Sequence, residues 1–283
     1  MTIDSASLPQ ESADANEQPS DGRLHGSLGV PHLLFTLLAY NGPLIGAIAY
    51  QPIVIGYGNG VGAPMAFILG GIVLMLFALG FVAMATGVEQ PGGFYSFVAA
   101  GLGRRAGMGA AFVAIAGYYV ISVSNFSFFG LSVNGLADRF GWPHEPWWMY
   151  AVPLLLFCGV LGYFRIDVSA KVLSILLVGE FIVVAVYDAA VVIKGGAHGL
   201  SASFVHPDVA FSGSLGVALL FAAMMYGGFE ATVVFRHEVK DPDRSIPRAT
   251  YLFIGGIGLF YALTTWVTTQ ALGEGRAQAA TAA

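Results

Sequence analysis

Two carboxylates stand in apolar surroundings that seldom hold one. Glu180 lies at the centre of the run 168–193, and Glu230 lies within 212–235, directly after Tyr226-Gly227-Gly228-Phe229. A charge at the middle of a membrane helix costs about 2.5–3.5 kcal/mol on insertion scales. An acid in such a place must hold a proton, face a cation or accept strong hydrogen bonds. One that loads and releases a proton as water reaches it from alternate sides is a coupling device. One that keeps its proton is a structural hydrogen-bond donor, and residue type alone leaves both open. Asp188, nearer the end of the same run, is placed to reach an interface, and Lys171 to snorkel.

The second chemical feature is backbone. The run 31–57 contains Asn41-Gly42-Pro43-Leu44-Ile45-Gly46, and 212–235 contains Tyr226-Gly227-Gly228-Phe229-Glu230. Proline lacks the N–H that a helix needs, and glycine tolerates non-helical backbone. Helix-packing glycines are common in membranes, so a single one proves little. Two interruptions five helices apart are a different matter: paired breaks in corresponding helices point to an inverted-repeat transporter. Unwound backbone is tolerated at membrane depth only where it is buried in protein or faces water. Its free N–H groups suit a carboxylate and its free carbonyls suit an ammonium.

These groups must be positioned by helices that lipid can solvate. The chain has 283 residues, 56% hydrophobic and only 10% charged, with a mean hydropathy of +0.72. Soluble domains carry about 25% charged residues. Disorder, nucleic-acid binding and most cytosolic enzymes are thereby excluded. Continuous apolar runs at about 31–57, 63–86, 107–135, 147–164, 168–193, 212–235 and 249–271 predict seven transmembrane helices in an all-α polytopic membrane protein. They do not alternate as barrel strands would. Residues 1–27 read as a disordered cytoplasmic tail, and 272–283 as a polar C-terminal end. With the N-terminus inside, nine of the twelve Lys and Arg residues fall on the cytoplasmic side, which obeys the positive-inside rule. A multi-pass protein of the cell membrane is expected.

Other chemistry is thinly represented. The single cysteine, Cys158, sits in an apolar run, and six scattered histidines show no metal-ligand spacing. No nucleophile–base pair stands out, so neither an enzyme, a metal nor a cofactor is expected. A retinal protein would need a lysine in its last span, and 249–271 has none. Tyr118, Tyr119, Ser122 and Asn125 of the third span could face a ligand, though packing is the plainer role. Oligomeric state is not legible.

Several ordered segments resemble the amino acid–polyamine–organocation (APC) superfamily, in particular its bacterial amino acid permeases. Gly46-Ala47-Ile48 resembles the unwound segment of the first helix. Gln90-Pro91-Gly92-Gly93-Phe94-Tyr95 is similar to the loop after the second, and Ser169-Ala170-Lys171 to the start of the fifth. Gly228-Phe229-Glu230, followed by Lys240-Asp241-Pro242 and Ile246-Pro247, is the most specific match.

The resemblance implies a five-plus-five inverted-repeat fold and alternating-access transport of amino acids or related amines, driven by protons. It implies substrate contacts from Gly46, Ala47 and Ile48 at one break and from Tyr226, Gly227, Gly228 and Phe229 at the other. Glu230 and Glu180 would serve proton coupling. Ile48 stands where the family has glycine, which would narrow the pocket. The implied partners are a small-molecule substrate and the lipid bilayer, without nucleic acid. The family has about twelve helices, so seven are five plus two, a chain truncated after the seventh. A transport-inactive fragment lacking helices 8–12 is the alternative expectation.

Overall fold

The computed structural model describes residues 28–88, 92–143, 145–164 and 166–282, with the side chains of 164–171 left aside. The tail 1–27, the residues Gln90 and Pro91 and the side chain of Lys171 lie outside that description. Every regular element is helical apart from one isolated bridge pair. The chain is an all-α polytopic membrane protein.

The first span is broken. Helix α1 (Val30–Asn41) ends at Gly42, and α2 (43–59) begins at Pro43 and runs to Asn59 through two π-helical stretches. Helix α3 (Ala63–Gly87) follows a kink at Gly58 and Gly60. A short α4 (Phe94–Leu102) leads into α5 (Arg104–Phe140), α6 (Trp148–Phe164) and α7 (Ile166–Lys194). The sixth span is two pieces, α8 (Leu215–Met224) and α9 (Ala231–Val234), around an irregular 225–230. Helix α10 (Pro242–Leu272) is the last span, and α11 (Glu274–Ala282) follows it.

Four helical runs among the described residues are long and apolar enough to cross a membrane: 43–87, 104–140, 172–194 and 242–272. The first divides at the Gly58–Gly60 kink between α2 and α3. Helices at 148–163 and 215–224 are apolar but shorter. The packed centre lies between α3 and α10, where Phe67, Phe81, Phe253, Ile257 and Tyr261 are buried. Helix α5 is the opposite case, with only 6% of its most apolar window buried. Phe112, Val113, Ile115 and Val120 point outward from it. Such a surface is stable in hydrocarbon, where the helix already satisfies its own backbone.

The two broken spans run side by side in opposite directions, tied at three levels. At one end Leu28 and Val239 form a bridge, with the Leu28 N–H donating to Glu238 O and the Lys240 N–H to Leu28 O, both at 2.9 Å. In the middle the Asn41 amide reaches Met225 O and Gly227 O, both at 2.8 Å. At the other end the Ser214 N–H donates to Gly58 O at 2.9 Å. Across the three ties residue numbers rise along the first span and fall along the sixth, while the isolated Leu28–Val239 bridge is itself parallel.

Candidate functional site

The break in the first span falls at Gly42, four residues before the Gly46–Ile48 segment that the sequence resemblance marks as unwound. Gly42 has φ +63 and ψ +71, a left-handed conformation that glycine adopts at little cost. Pro43 then restarts the helix, since its fixed φ suits a first turn and its missing N–H is not needed there. Gly46 to Tyr50 form a π-helical turn instead of an extended strand. β-Branched Ile48 sits comfortably in that turn and could not supply a left-handed break.

The second break lies where expected. Residues 225–230 leave the helix, and Gly228 adopts φ +109. Asn41 spans the gap between the breaks. Its Nδ2 donates to the two carbonyls of the second break, and its Oδ1 accepts from the Tyr261 hydroxyl at 2.8 Å. One side chain thereby joins α1, the second break and α10. Gly46 makes this possible, because a Cβ there would lie 2.2 Å from the Tyr261 hydroxyl oxygen.

Each break also has an N–H taken by a carboxylate. Glu180 of α7 accepts from the Leu44 N–H at 3.2 Å, just after the first break. Glu230 accepts from the Gly228 N–H at 2.9 Å with one oxygen and from the Tyr118 hydroxyl at 3.1 Å with the other. The fit follows from unpaired helix-end donors, which favour an anionic acceptor.

Between the breaks lies a cavity of about 170 Å³. Asn41, Gly46, Gly227, Gly228 and Glu230 line it, with Tyr40, Tyr50, Tyr118, Asn125 and Tyr261. Its volume resembles the ~150 Å³ void that holds one benzene. Among these residues Glu230 is the single charged group.

The expected site residues thus divide. Gly46, Gly227, Gly228 and Glu230 come together on the cavity, while Glu180 stands behind the first break. Ala47 and Ile48 turn to a neighbouring apolar cavity, shared with Val183, Tyr187 and Thr264 of α7 and α10. Tyr226 is fully buried and donates its hydroxyl to Phe67 O. Phe229 packs edge-on against Phe77, Phe81 and Phe94, with ring centroids 5.3–6.2 Å apart. Both aromatic side chains are therefore supports of the second break and not part of the cavity lining.

Asn41, Tyr40, Tyr50 and Tyr261 line the cavity without having been singled out as ligand contacts. A polar side chain beside Gly-Pro inside an apolar run was the available signal for Asn41. Tyr118 and Asn125 face the cavity, whereas Ser122 bonds back to Tyr118 O. No group of three His, Cys, Asp or Glu side chains able to hold a metal occurs among the described residues.

Two interrupted helices meeting at a small, partly polar cavity within a lipid-facing bundle define a class: polytopic membrane proteins with discontinuous helices. The chain belongs to the amino acid permease family, whose model matches residues 32–277. It is similar to an uncharacterized transporter of Mycobacterium tuberculosis (strain ATCC 25618 / H37Rv), at 27% identity over 72% of this chain and 47% of that protein. It is also similar to the serine/threonine exchanger SteT of Bacillus subtilis (strain 168), at 24% identity over 83% of this chain and 52% of that protein. The chain spans about half the length of these curated relatives.

Proposed function

We propose that the chain carries the substrate cavity of a secondary transporter for amino acids or related amines, working by alternating access around its two broken helices. One observation carries this reading. A single side chain, Asn41, ties both breaks together beside a cavity that each of them lines. The antiparallel course of the first and sixth spans supports a five-plus-five inverted repeat, because inverted repeats bring equivalent helices together in opposite senses. Gly46, Gly227 and Gly228 bring backbone to the substrate. Ala47 and Ile48 form the back of the first break, and Tyr226 and Phe229 anchor the second.

Proton coupling is assigned to Glu230 and Glu180. Both carboxylates accept hydrogen bonds from the breaks themselves, so a change in proton occupancy alters the grip on the unwound backbone. The cell membrane, with the N-terminus in the cytoplasm, is the proposed location.

Liposomes containing the protein, with an imposed pH gradient, test the reading. Accumulation of a labelled amino acid or amine is expected, with Glu230→Gln impairing it more than Lys171→Gln. Equal effects of the two variants would overturn the Glu230 assignment. A second reading is favoured by the coverage of about half of each relative: the chain binds substrate without moving it. Specific binding with no accumulation in the same liposomes would select that reading.

A further inference from the structure

We infer that Asp188 is a proton relay that serves Glu180 through the cavity behind the first break, apart from the substrate cavity. The inference rests on Glu180 being a coupling residue. Glu180 is not among the residues lining the substrate cavity, which leaves its proton route unaccounted for. Asp188 lies eight residues further along α7, on the same stripe of the helix and about 12 Å away.

Asp188 is half-buried and turns to α10, where its Oδ2 accepts from the Thr264 hydroxyl at 2.9 Å. Its Oδ1 is buried and has no hydrogen-bond partner among the described residues. A desolvated carboxylate oxygen without a donor is costly. Ionisable side chains kept at membrane depth in spite of that cost mark ion paths and proton relays.

The cavity behind the break supplies the connection. It measures about 290 Å³ and is lined along α2 from Leu44 to Gln51, with Tyr187 of α7 and Thr264 and Thr268 of α10. The Leu44 N–H, at one end, is the one that Glu180 holds. Toward the other end the Gln51 amide and the Tyr187 hydroxyl donate to the Thr268 hydroxyl oxygen at 3.3 and 3.4 Å, and Thr264 is bonded to Asp188. Four polar side chains around a space of this size meet the needs of bound water, which takes about two to four partners. Tyr187 is the one ionisable residue among the lining side chains, so no fixed charge interrupts the route. A proton leaves the Asp188 carboxyl for the Thr264 oxygen, the Thr264 hydroxyl proton passes to water, and water protonates the Glu180 carboxylate. Asp188 regains its proton from the end of α7 at Lys194, six residues or about 9 Å away.

Infrared spectroscopy of the purified 283-residue chain in nanodiscs tests this by following hydrogen–deuterium exchange at the Glu180 carboxyl, whose band is the one that Glu180→Gln removes. Asp188→Asn and Thr264→Val should each slow that exchange at least about tenfold, the low side of what a positioned proton carrier contributes. Asp188→Glu keeps a carboxyl and should restore most of the rate. Loss of a merely structural contact would instead loosen the helices, admit water and speed the exchange. Exchange unchanged or faster in Asp188→Asn would overturn the relay and leave Glu180 as a coupling residue. If no Glu180 carboxyl band is present at any pH from about 4 to about 10, the coupling assignment falls and the relay falls with it.

Discussion

The two helix breaks solve one problem in different ways. The first is a single left-handed residue, Gly42, after which the helix resumes at once. Its acid comes from far away in sequence, Glu180 being 136 residues from Leu44. The second is a six-residue irregular stretch whose acid, Glu230, is two residues from the N–H it holds. A long-range cap fastens the first break to α7. The second carries its cap within itself and is held from outside by Asn41 and by aromatic packing around Phe229.

Asn41→Ala should break the comparison most severely, because it removes the tie between the two breaks. Three hydrogen bonds are lost, and interhelical bonds in membranes average ~0.6 and reach ~1.7 kcal/mol each. A loss of about 2–4 kcal/mol is expected in thermal unfolding in detergent, together with loss of ligand binding. An unchanged melting profile would show that the breaks are held by packing alone.

Gly46→Ala should act on the first break by crowding. The added methyl meets the Tyr261 hydroxyl, and overpacking of this sort costs about 1–3 kcal/mol. Combining it with Tyr261→Phe, which removes that hydroxyl, should recover part of the loss. Additive losses would place the cost elsewhere.

The smallest effect concerns the helix that follows the last span. Hydrogen bonds from the Ser203 and Ser201 hydroxyls hold the Glu274 carboxyl below the usual carboxylate range. A depressed folded-state value means that the stabilisation is complete above the ordinary carboxylate pKa and is lost as pH falls through the lower one. Hydrogen-exchange protection over 274–282, taken relative to the intrinsic rate at each pH, should therefore be steady from neutral to mildly acidic pH and fall only below about pH 4. Glu274→Gln should flatten that dependence. Protection already lost near pH 6 would refute the assignment.

Much of this architecture was legible in composition. Apolar runs announced the spans, and Gly227-Gly228 beside Glu230 located the second break. The Asn41–Gly46 interruption contained the first break, and within it the local chemistry of Gly42-Pro43 decides where the helix stops, four residues before the Gly46 that the family resemblance marked. Tyr40, Tyr50 and Tyr261 were hidden for another reason. Which side of an apolar helix faces inward depends on its rotation against neighbours, and residue type alone does not give it. The family resemblance implied cavity contacts from Tyr226 and Phe229, whereas the structure sends both side chains into the packing behind the irregular stretch. The ties between the two broken spans were legible only in part, since Leu28–Val239 and Gly58–Ser214 are backbone pairings that leave no residue-type signature.

The central claim is that the two breaks form one ligand site. Hydrogen exchange over 40–46 and 225–230, with and without a saturating concentration of an amino acid or amine that the protein binds, tests it most directly. Both segments should gain protection together and at the same ligand concentration. Protection of one segment without the other would contradict it.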